Sequence, residues 1–321
     1  MISIGIVGAG GMGTVHMANY AHIDGVKVVA VCDTSPAAAE RAESFGAKLY
    51  AGIEDMLDGE KIDVVDICAP TFAHHELTIA ALARGKHVIC EKPIALSVAN
   101  AFEMFDFARK NGVMLFVAHV LQYSLDTMAL RRIVTSGEYG KALDAQFLRL
   151  SGCPRWVKNG WLFDRKKSGL LPFDLHIHDL DLIVSLFGAP KSYSYTSCGG
   201  ADKNYKEHYR FCYNYDGMNV SAEASWYNAD FPFTAQWRVY FENAVVTSEG
   251  GKVTVYTSDG APQILDTEEK LLIPTGINVP PTGMYLRELN DFIGKIKAGE
   301  RCGCDRESEL LEVLKILETI E

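Results

Sequence analysis

The sequence predicts an α/β protein in two parts, a doubly wound parallel sheet followed by a domain built mainly on antiparallel strands. Three observations predict it. The first 33 residues spell strand, glycine loop, helix, strand and acid in register. Alternating strand and helix patterns continue to about residue 120. From Lys191 to Tyr256 the pattern changes to period two.

Ile2–Val7 is a short apolar run with alternation, readable as a buried strand. It ends in Gly8-Ala9-Gly10-Gly11-Met12-Gly13, the spacing G-x-G-x-x-G. Gly8 allows a tight turn, Gly10 lets the backbone approach a pyrophosphate, and Gly13 lets helix and strand pack closely. A helix over 14–23 offers unpaired N–H groups at its start to phosphate anions. Strand Val26–Cys32 closes on Asp33, twenty residues beyond Gly13 and placed to accept hydrogen bonds from a ribose. Thr34 and Ser35 follow, where an arginine would suit a 2′-phosphate. NAD is therefore expected ahead of NADP, although small hydroxyl side chains accommodate either.

A helix over 35–45 starts with Pro36 in its first turn and stops at Gly46. Strand 48–50 and a short helix over 53–57 come next. Strand 63–68 leads to a helix over 74–84 ended by Gly85. Strand 87–90 leads to a helix over 97–111 ended by Gly112, and strand 114–118 follows. Such units imply a parallel sheet whose ligands bind beyond the carboxyl ends of its strands. A helix over 126–137, a strand over 142–150, a tryptophan-bearing loop and an apolar helix over 172–187 open the second domain. Tyr209, Phe211, Tyr213 and Tyr215 alternate with polar residues, as do Val220, Ala222, Ala224 and Trp226, and then Phe233 to Phe241. Joined by Asp-Gly and Gly-Gly turns, these read as an antiparallel meander. Helices over 284–298 and 307–320 close the chain. The expected domains are 1–120 and 121–321, with the last helices free to pack back toward the first.

At 321 residues, 48% hydrophobic and 22% charged, the composition is that of a globular protein with more than one core. A net charge of −10 with no basic stripe argues against a nucleic-acid partner. No run approaches the roughly 18 apolar residues of a membrane helix. The opening on a core strand predicts no signal peptide, and the eight cysteines read as reduced thiols, so a cytoplasmic location is expected. Cys32, Cys68 and Cys90 fall in predicted buried strands. Cys302 and Cys304 alone lack partners for a zinc site.

Three segments carry candidate chemistry. Strand 63–68 runs into Ala69-Pro70-Thr71, with His74 just beyond, a suitable edge for a cofactor cleft. Strand 87–90 runs into Glu91-Lys92-Pro93, an ionisable pair about where a bound nicotinamide would lie. On the apolar helix, Asp174, His178, Asp181 and Ser185 form one polar stripe. A carboxylate one turn from an imidazole can orient it and stabilise its charged form, as a general base requires. Asp174, His176 and His178 also read as metal ligands, but hydride chemistry needs none and no metal is expected.

With the Gly8–Gly13 loop, Glu91-Lys92-Pro93 and Asp174-Leu175-His176-Ile177-His178-Asp179-Leu180-Asp181 in this order, the chain resembles the Gfo/Idh/MocA family over essentially its whole length. Gly85-Lys86-His87-Val88 adds to the likeness. The resemblance implies an N-terminal Rossmann domain and a C-terminal α/β domain with an open, mainly antiparallel sheet. It implies that Lys92 hydrogen-bonds the substrate hydroxyl, that His178 takes its proton and that Asp174 orients His178. Glu91, Pro70 and Thr71 would line the nicotinamide end of the cofactor, and Ala69, His74 and the loop Gly8, Ala9, Gly10, Gly11, Met12, Gly13 are expected elsewhere along it. Thr71, Gln122 and Ser168-Gly169-Leu170 depart from the usual pattern, all near the expected cleft.

The function these readings favour is hydride transfer between NAD or NADP and a secondary hydroxyl of a sugar, inositol or related polyol. The alternatives are a glycosidase or epimerase that oxidises its sugar only transiently, and a dinucleotide sensor without catalysis. Gln122 and the loop residues Arg155, Trp156, Lys158, Asn159 and Trp161 are expected to wall the substrate site. A homodimer or homotetramer is expected, because helices can cover only one sheet face. The other face would carry side chains of several strands, drawn from aromatics such as Tyr193, Tyr195, Trp226, Tyr227, Trp237 and Tyr240.

Overall fold

The computed structural model describes residues 1–300 and 303–321, together with every side chain among these except that of Lys158. Cys302 therefore lies outside the described residues. The first half runs β1 (Ile2–Val7), α1 (Gly11–Tyr20), β2 (Val26–Cys32), α2 (Ala38–Ser44), β3 (Lys48–Tyr50), α3 (Ile53–Gly59) and β4 (Val64–Ile67). It continues through α4 (His74–Ala83), β5 (His87–Glu91), α5 (Val98–Asn111), β6 (Leu115–Ala118) and α6 (Leu125–Ser136). Then come β7 (Ala142–Gly152), α7 (Arg165–Ser168), α8 (Ile177–Phe187), β8 (Ser192–Cys198), β9 (His208–Tyr215) and β10 (Met218–Tyr227). The chain ends with β11 (Thr234–Phe241), β12 (Ala244–Glu249), β13 (Lys252–Thr257), β14 (Gln263–Ile264), α9 (Met284–Lys297) and α10 (Glu307–Glu318). None of the described helices is long and apolar enough to cross a membrane.

Two compact units emerge, one of Met1–Tyr123 with Glu269–Leu311, the other of Ser124–Glu268 with Glu312–Glu321. In the first, six strands pair in the order β3-β2-β1-β4-β5-β6, all parallel. The order reverses between β1 and β4, which is where such sheets open a ligand crevice. Helix α9 belongs to this unit because its buried stripe of Leu289, Phe292 and Ile293 joins the core formed by Ile4, Ile6, Met17 and Phe116. Phe292 stacks on Phe116 at 4.6 Å and meets Tyr123 edge-on at 5.9 Å. Fully burying each such side chain contributes about 1.5–3 kcal/mol.

The second unit holds an eight-stranded sheet of order β14-β13-β12-β11-β7-β10-β9-β8. This corrects the simple meander. Strand β7 lies between β10 and β11, parallel to β10 and antiparallel to β11, so two antiparallel ladders flank one early strand. The inner face is aromatic. Tyr193 and Tyr195 lean on the buried Tyr209, Phe211 and Tyr213, while Trp226 and Trp237 are themselves buried. The outer face carries Ser194, Thr196, Arg210, Asn214 and Arg238, with Tyr240 exposed among them. Four of the six aromatics named for an uncovered apolar face thus turn inward, and that face is largely polar.

The helix expected over 172–187 is interrupted. Pro172–His176 forms a π-type turn that feeds α8. Two buried contacts seat it. Arg149 on β7 grips Asp179 with two hydrogen bonds of 3.0 and 2.7 Å. His176 stacks on Phe211 at 3.8 Å and bonds the Tyr213 hydroxyl at 2.6 Å. Burial, helped by the Arg149 charge, pushes the His176 ring down to about 3. The folded chain thus binds fewer protons there than the unfolded chain does, so this stabilisation is present above pH 6.5 and lost as pH falls toward 3. The expected loss is about 1.4 kcal/mol per pH unit. Urea midpoints between pH 6.5 and about 5 should fall more steeply for the native chain than for His176→Phe, which keeps the ring stack. Equal slopes would contradict this assignment.

Candidate functional site

In the first unit, the loop after β1 is shaped by contacts only glycine permits. Gly8 has φ +93°, and a Cβ there would meet the Cys68–Ala69 backbone at 2.8 Å. A Cβ on Gly13 would lie 1.9 Å from the Gly8 carbonyl oxygen. Gly10, the N-cap of α1, has nothing within 4 Å of its missing Cβ. That open space, ahead of the free N–H groups of the first turn, fits a pyrophosphate approaching the backbone. The dinucleotide fits these residues. Gly11 is exposed and Met12 half-buried, while Ala9 is fully buried and only its backbone faces the loop's neighbours.

Asp33 follows β2 and is fixed by two backbone donors, Ala9 N–H at 2.7 Å and Ser35 N–H at 2.6 Å. Thr34 is exposed beside it. Arg41, which the sequence pattern did not single out, reaches from α2 to donate to the Ala9 carbonyl. The corner around Asp33 therefore does contain an arginine, contributed by the next helix rather than by the residues directly after the acid.

At the same edge of the sheet, β4 and β5 end in the two further segments. Cys68 follows β4 and is only partly buried. Pro70 caps a short 3-10 turn over Thr71–Ala73, with Thr71 buried. His74 is buried, and its ring nitrogens each lie 2.8 Å from a carbonyl oxygen, those of Ala69 and Pro93. It ties the loop after β4 to the turn after β5. Burial pushes its titration down, partly offset by the two carbonyls. Glu91 is buried at the end of β5 and accepts the Lys92 N–H at 3.0 Å, and Lys92 is partly exposed. The Lys92–Pro93 peptide is cis. Gln122 lies half-buried in a short 3-10 turn over Val120–Tyr123.

In the second unit, Asp174 lies in the π-type turn and His178 in the first turn of α8, both partly exposed. Asp181 is buried and Ser185 partly buried, so the polar stripe is not a uniformly wet edge. His176 is buried, and its Nε2 is committed to the Tyr213 hydroxyl. Ahead of the turn, Ser168 Oγ donates to the Leu162 carbonyl at 2.6 Å and Gly169 has φ +74°. Leu170 adopts φ 64°, a left-handed conformation costing a non-glycine residue about 1–2 kcal/mol. Arg155, Asn159 and Trp156 are exposed, Trp156 to 67%, so Trp156 is not a packed tryptophan, whereas Trp161 is partly buried.

Substitutions in the glycine loop separate fold from binding. Gly10→Ala should leave stability within about 0.5 kcal/mol and weaken NAD binding about tenfold or more. Gly13→Ala should cost about 1–3 kcal/mol of stability as well. Calorimetric titration with melting curves checks both, and NADP in the same titration should bind more weakly than NAD. Unchanged NAD affinity in Gly10→Ala would contradict the cradle.

Comparison with known proteins agrees with this geometry. Residues 2–119 match the family model described as the oxidoreductase family, NAD-binding Rossmann fold. Residues 127–247 match the GFO/IDH/MocA C-terminal domain. The chain is 37% identical over 195 residues to D-glucoside 3-dehydrogenase of Escherichia coli (strain K12), covering 59% of this chain and 55% of that protein. It is 35% identical over 147 residues to inositol 2-dehydrogenase of Salmonella typhimurium (strain LT2), covering 44% of each. The matched segments span about half the length of the curated relatives. Levoglucosan dehydrogenase, solved with NADH and levoglucosan, superposes with a TM-score of 0.83 at 21% identity, over 98% of this chain and 95% of that one. With both domain models matched in order, the chain belongs to the Gfo/Idh/MocA family of NAD-binding oxidoreductases.

Proposed function

We propose that this protein is an NAD-dependent dehydrogenase acting on a secondary hydroxyl of a sugar, inositol or related polyol. The observation that carries the reading is the shared edge of the parallel sheet. There the glycine cradle, the Pro70–Thr71 turn and the Glu91-Lys92-Pro93 turn end side by side, and His74 joins the latter two. The Gly8–Gly13 loop and Asp33 would hold the dinucleotide, which supplies the hydride acceptor.

The remaining work falls to side chains. Lys92 would hydrogen-bond the reacting hydroxyl, and its positive charge would favour the alkoxide that forms as the proton leaves. His178 would accept that proton, with Asp174, four residues earlier, orienting the ring. Arg155, Trp156, Trp161 and Gln122 would meet the rest of the sugar, the exposed Trp156 ring offering a flat face to its C–H groups. The named activities of the family relatives, dehydrogenation of a glucoside and of inositol, support this substrate class.

Mixing the protein with NAD and a polyol panel should generate reduced cofactor, read by absorbance. Lys92→Met should lower turnover by about two orders of magnitude or more, and an active enzyme indifferent to that change would overturn the assignment.

Self-association into a homodimer or homotetramer belongs to the same reading, now resting on the family resemblance because the outer sheet face is mainly polar. Light scattering at micromolar concentration should give a multiple of 35.4 kDa, and a clean monomer would contradict it.

A further inference from the structure

Beneath the cofactor edge, the first unit buries ionisable groups that the chemistry above does not use. His16 on α1 is wholly buried. Its Nδ1 lies 2.8 Å from Asp66 Oδ2, and its Nε2 lies 3.3 Å from Glu91 Oε1. Asp66 interrupts the apolar strand β4, and Tyr20, one turn along α1 from His16, donates to the same Oδ2 at 2.7 Å. Glu91 takes the Lys92 backbone N–H on its other oxygen. Contacts thus run unbroken from Tyr20 through Asp66, His16 and Glu91 to the backbone of Lys92.

Only Nδ1 is hydrogen-bonded; Nε2 faces Glu91 at 3.3 Å without hydrogen-bond geometry. A bare, electron-rich nitrogen beside an ionised carboxylate is repelled where a protonated one is attracted. Burial opposes a charged ring, yet the Asp66 carboxylate, by its charge and its hydrogen bond, outweighs it and holds His16 well above its usual range. The other groups facing this cluster are Tyr285, whose ring lies 6.3 Å from that of His16, and the fully buried Glu288, both on α9. Burial pushes the Tyr20 and Tyr285 hydroxyls up, so neither competes as an anion. His16, Asp66 and Cys68 also bring three potential metal-ligand atoms within 4.8 Å of one another. The spacing is instead that of a shared proton. Tyr20 already occupies the carboxylate oxygen, and burial pushes the Cys68 thiol up, away from the thiolate a metal requires.

We propose that His16 is a positioning residue: hydrogen-bonded to Asp66 and ion-paired to Glu91, its charged ring holds the two carboxylates together and fixes the strand end from which Lys92 projects. The proposal rests on the reading of Lys92 as the residue that binds the reacting hydroxyl. Removing the ring leaves two buried carboxylates facing each other, and their repulsion displaces Glu91 and the turn it anchors.

Nitrogen-15 NMR of the histidine rings in the full chain, with NAD bound, tests the lock directly. His16→Gln identifies the resonances by their loss. Both His16 nitrogens should carry protons at about pH 8, above the ordinary imidazole value near 6.5, and one bare nitrogen there would overturn the proposal. Glu91→Gln, which keeps the side-chain shape, should let His16 lose its second proton at lower pH than in the native chain, and an unchanged titration would also overturn it. In turnover, His16→Gln should lower kcat about ten- to a hundredfold with KM for the sugar nearly unchanged, whereas native kcat would refute positioning. If His16→Gln does not fold, Glu91→Gln carries both arms. If no polyol is turned over even by the native enzyme, the NMR result still decides the state of His16, so the two readings fail separately.

Discussion

The close approach of α1 to β1 is the constraint on which the cofactor-binding unit depends. The Gly13 Cα sits so near the Gly8 carbonyl that no side chain fits between them. Only with both positions glycine can the helix start directly beneath the loop, with its first N–H groups open toward an anion. The same rigid helix then carries His16 and Tyr20, one and two turns on, over Asp66 of β4. One packing contact therefore sets both the phosphate cradle and the buried charge cluster that reaches Glu91.

A different device seats the candidate catalytic helix of the second unit. Arg149 and Asp179 form a buried, bidentate pair, and breaking it by removing one partner would leave an uncompensated charge at about 3–5 kcal/mol. His176 adds a neutral, stacked ring on the other side of the backbone turn. Asp174 and His178, flanking these anchors, stay partly exposed. Residues of one short segment thus divide between buried anchors and partly exposed groups to which the proposed chemistry is assigned, and four ionisable side chains crowd into six positions.

Much of this was legible in the sequence where the signal is local. The strands of the parallel sheet appear as short apolar runs, the glycines mark their turns, and the observed boundaries differ mainly at helix ends. The Glu91-Lys92-Pro93 turn was legible because an ionisable pair leaving a buried strand is conspicuous. Non-local features were not. The insertion of β7 between β10 and β11 depends on pairing across some seventy residues, and the facing of Tyr193 and Tyr195 depends on the register of β8 with β9. Asp66 inside Val64–Ile67 and His16 after the glycine loop were anomalies in plain view, but their partnership spans fifty residues. Arg41 escaped notice because α2, rather than the residues next to Asp33, delivers it. The π-type turn at Pro172–His176 leaves the apolar pattern almost unchanged while shifting the register of Asp174 against His178.

The most direct test of the central claim follows the hydrogen itself. Sugars and inositols deuterated at their carbinol carbons would be incubated with the protein and NAD, and the cofactor then analysed by mass spectrometry. Hydride transfer predicts deuterium in the reduced cofactor for at least one sugar or inositol. A cofactor that binds tightly yet never acquires deuterium from any member of the panel would contradict a dehydrogenase, and with it the role assigned to Lys92.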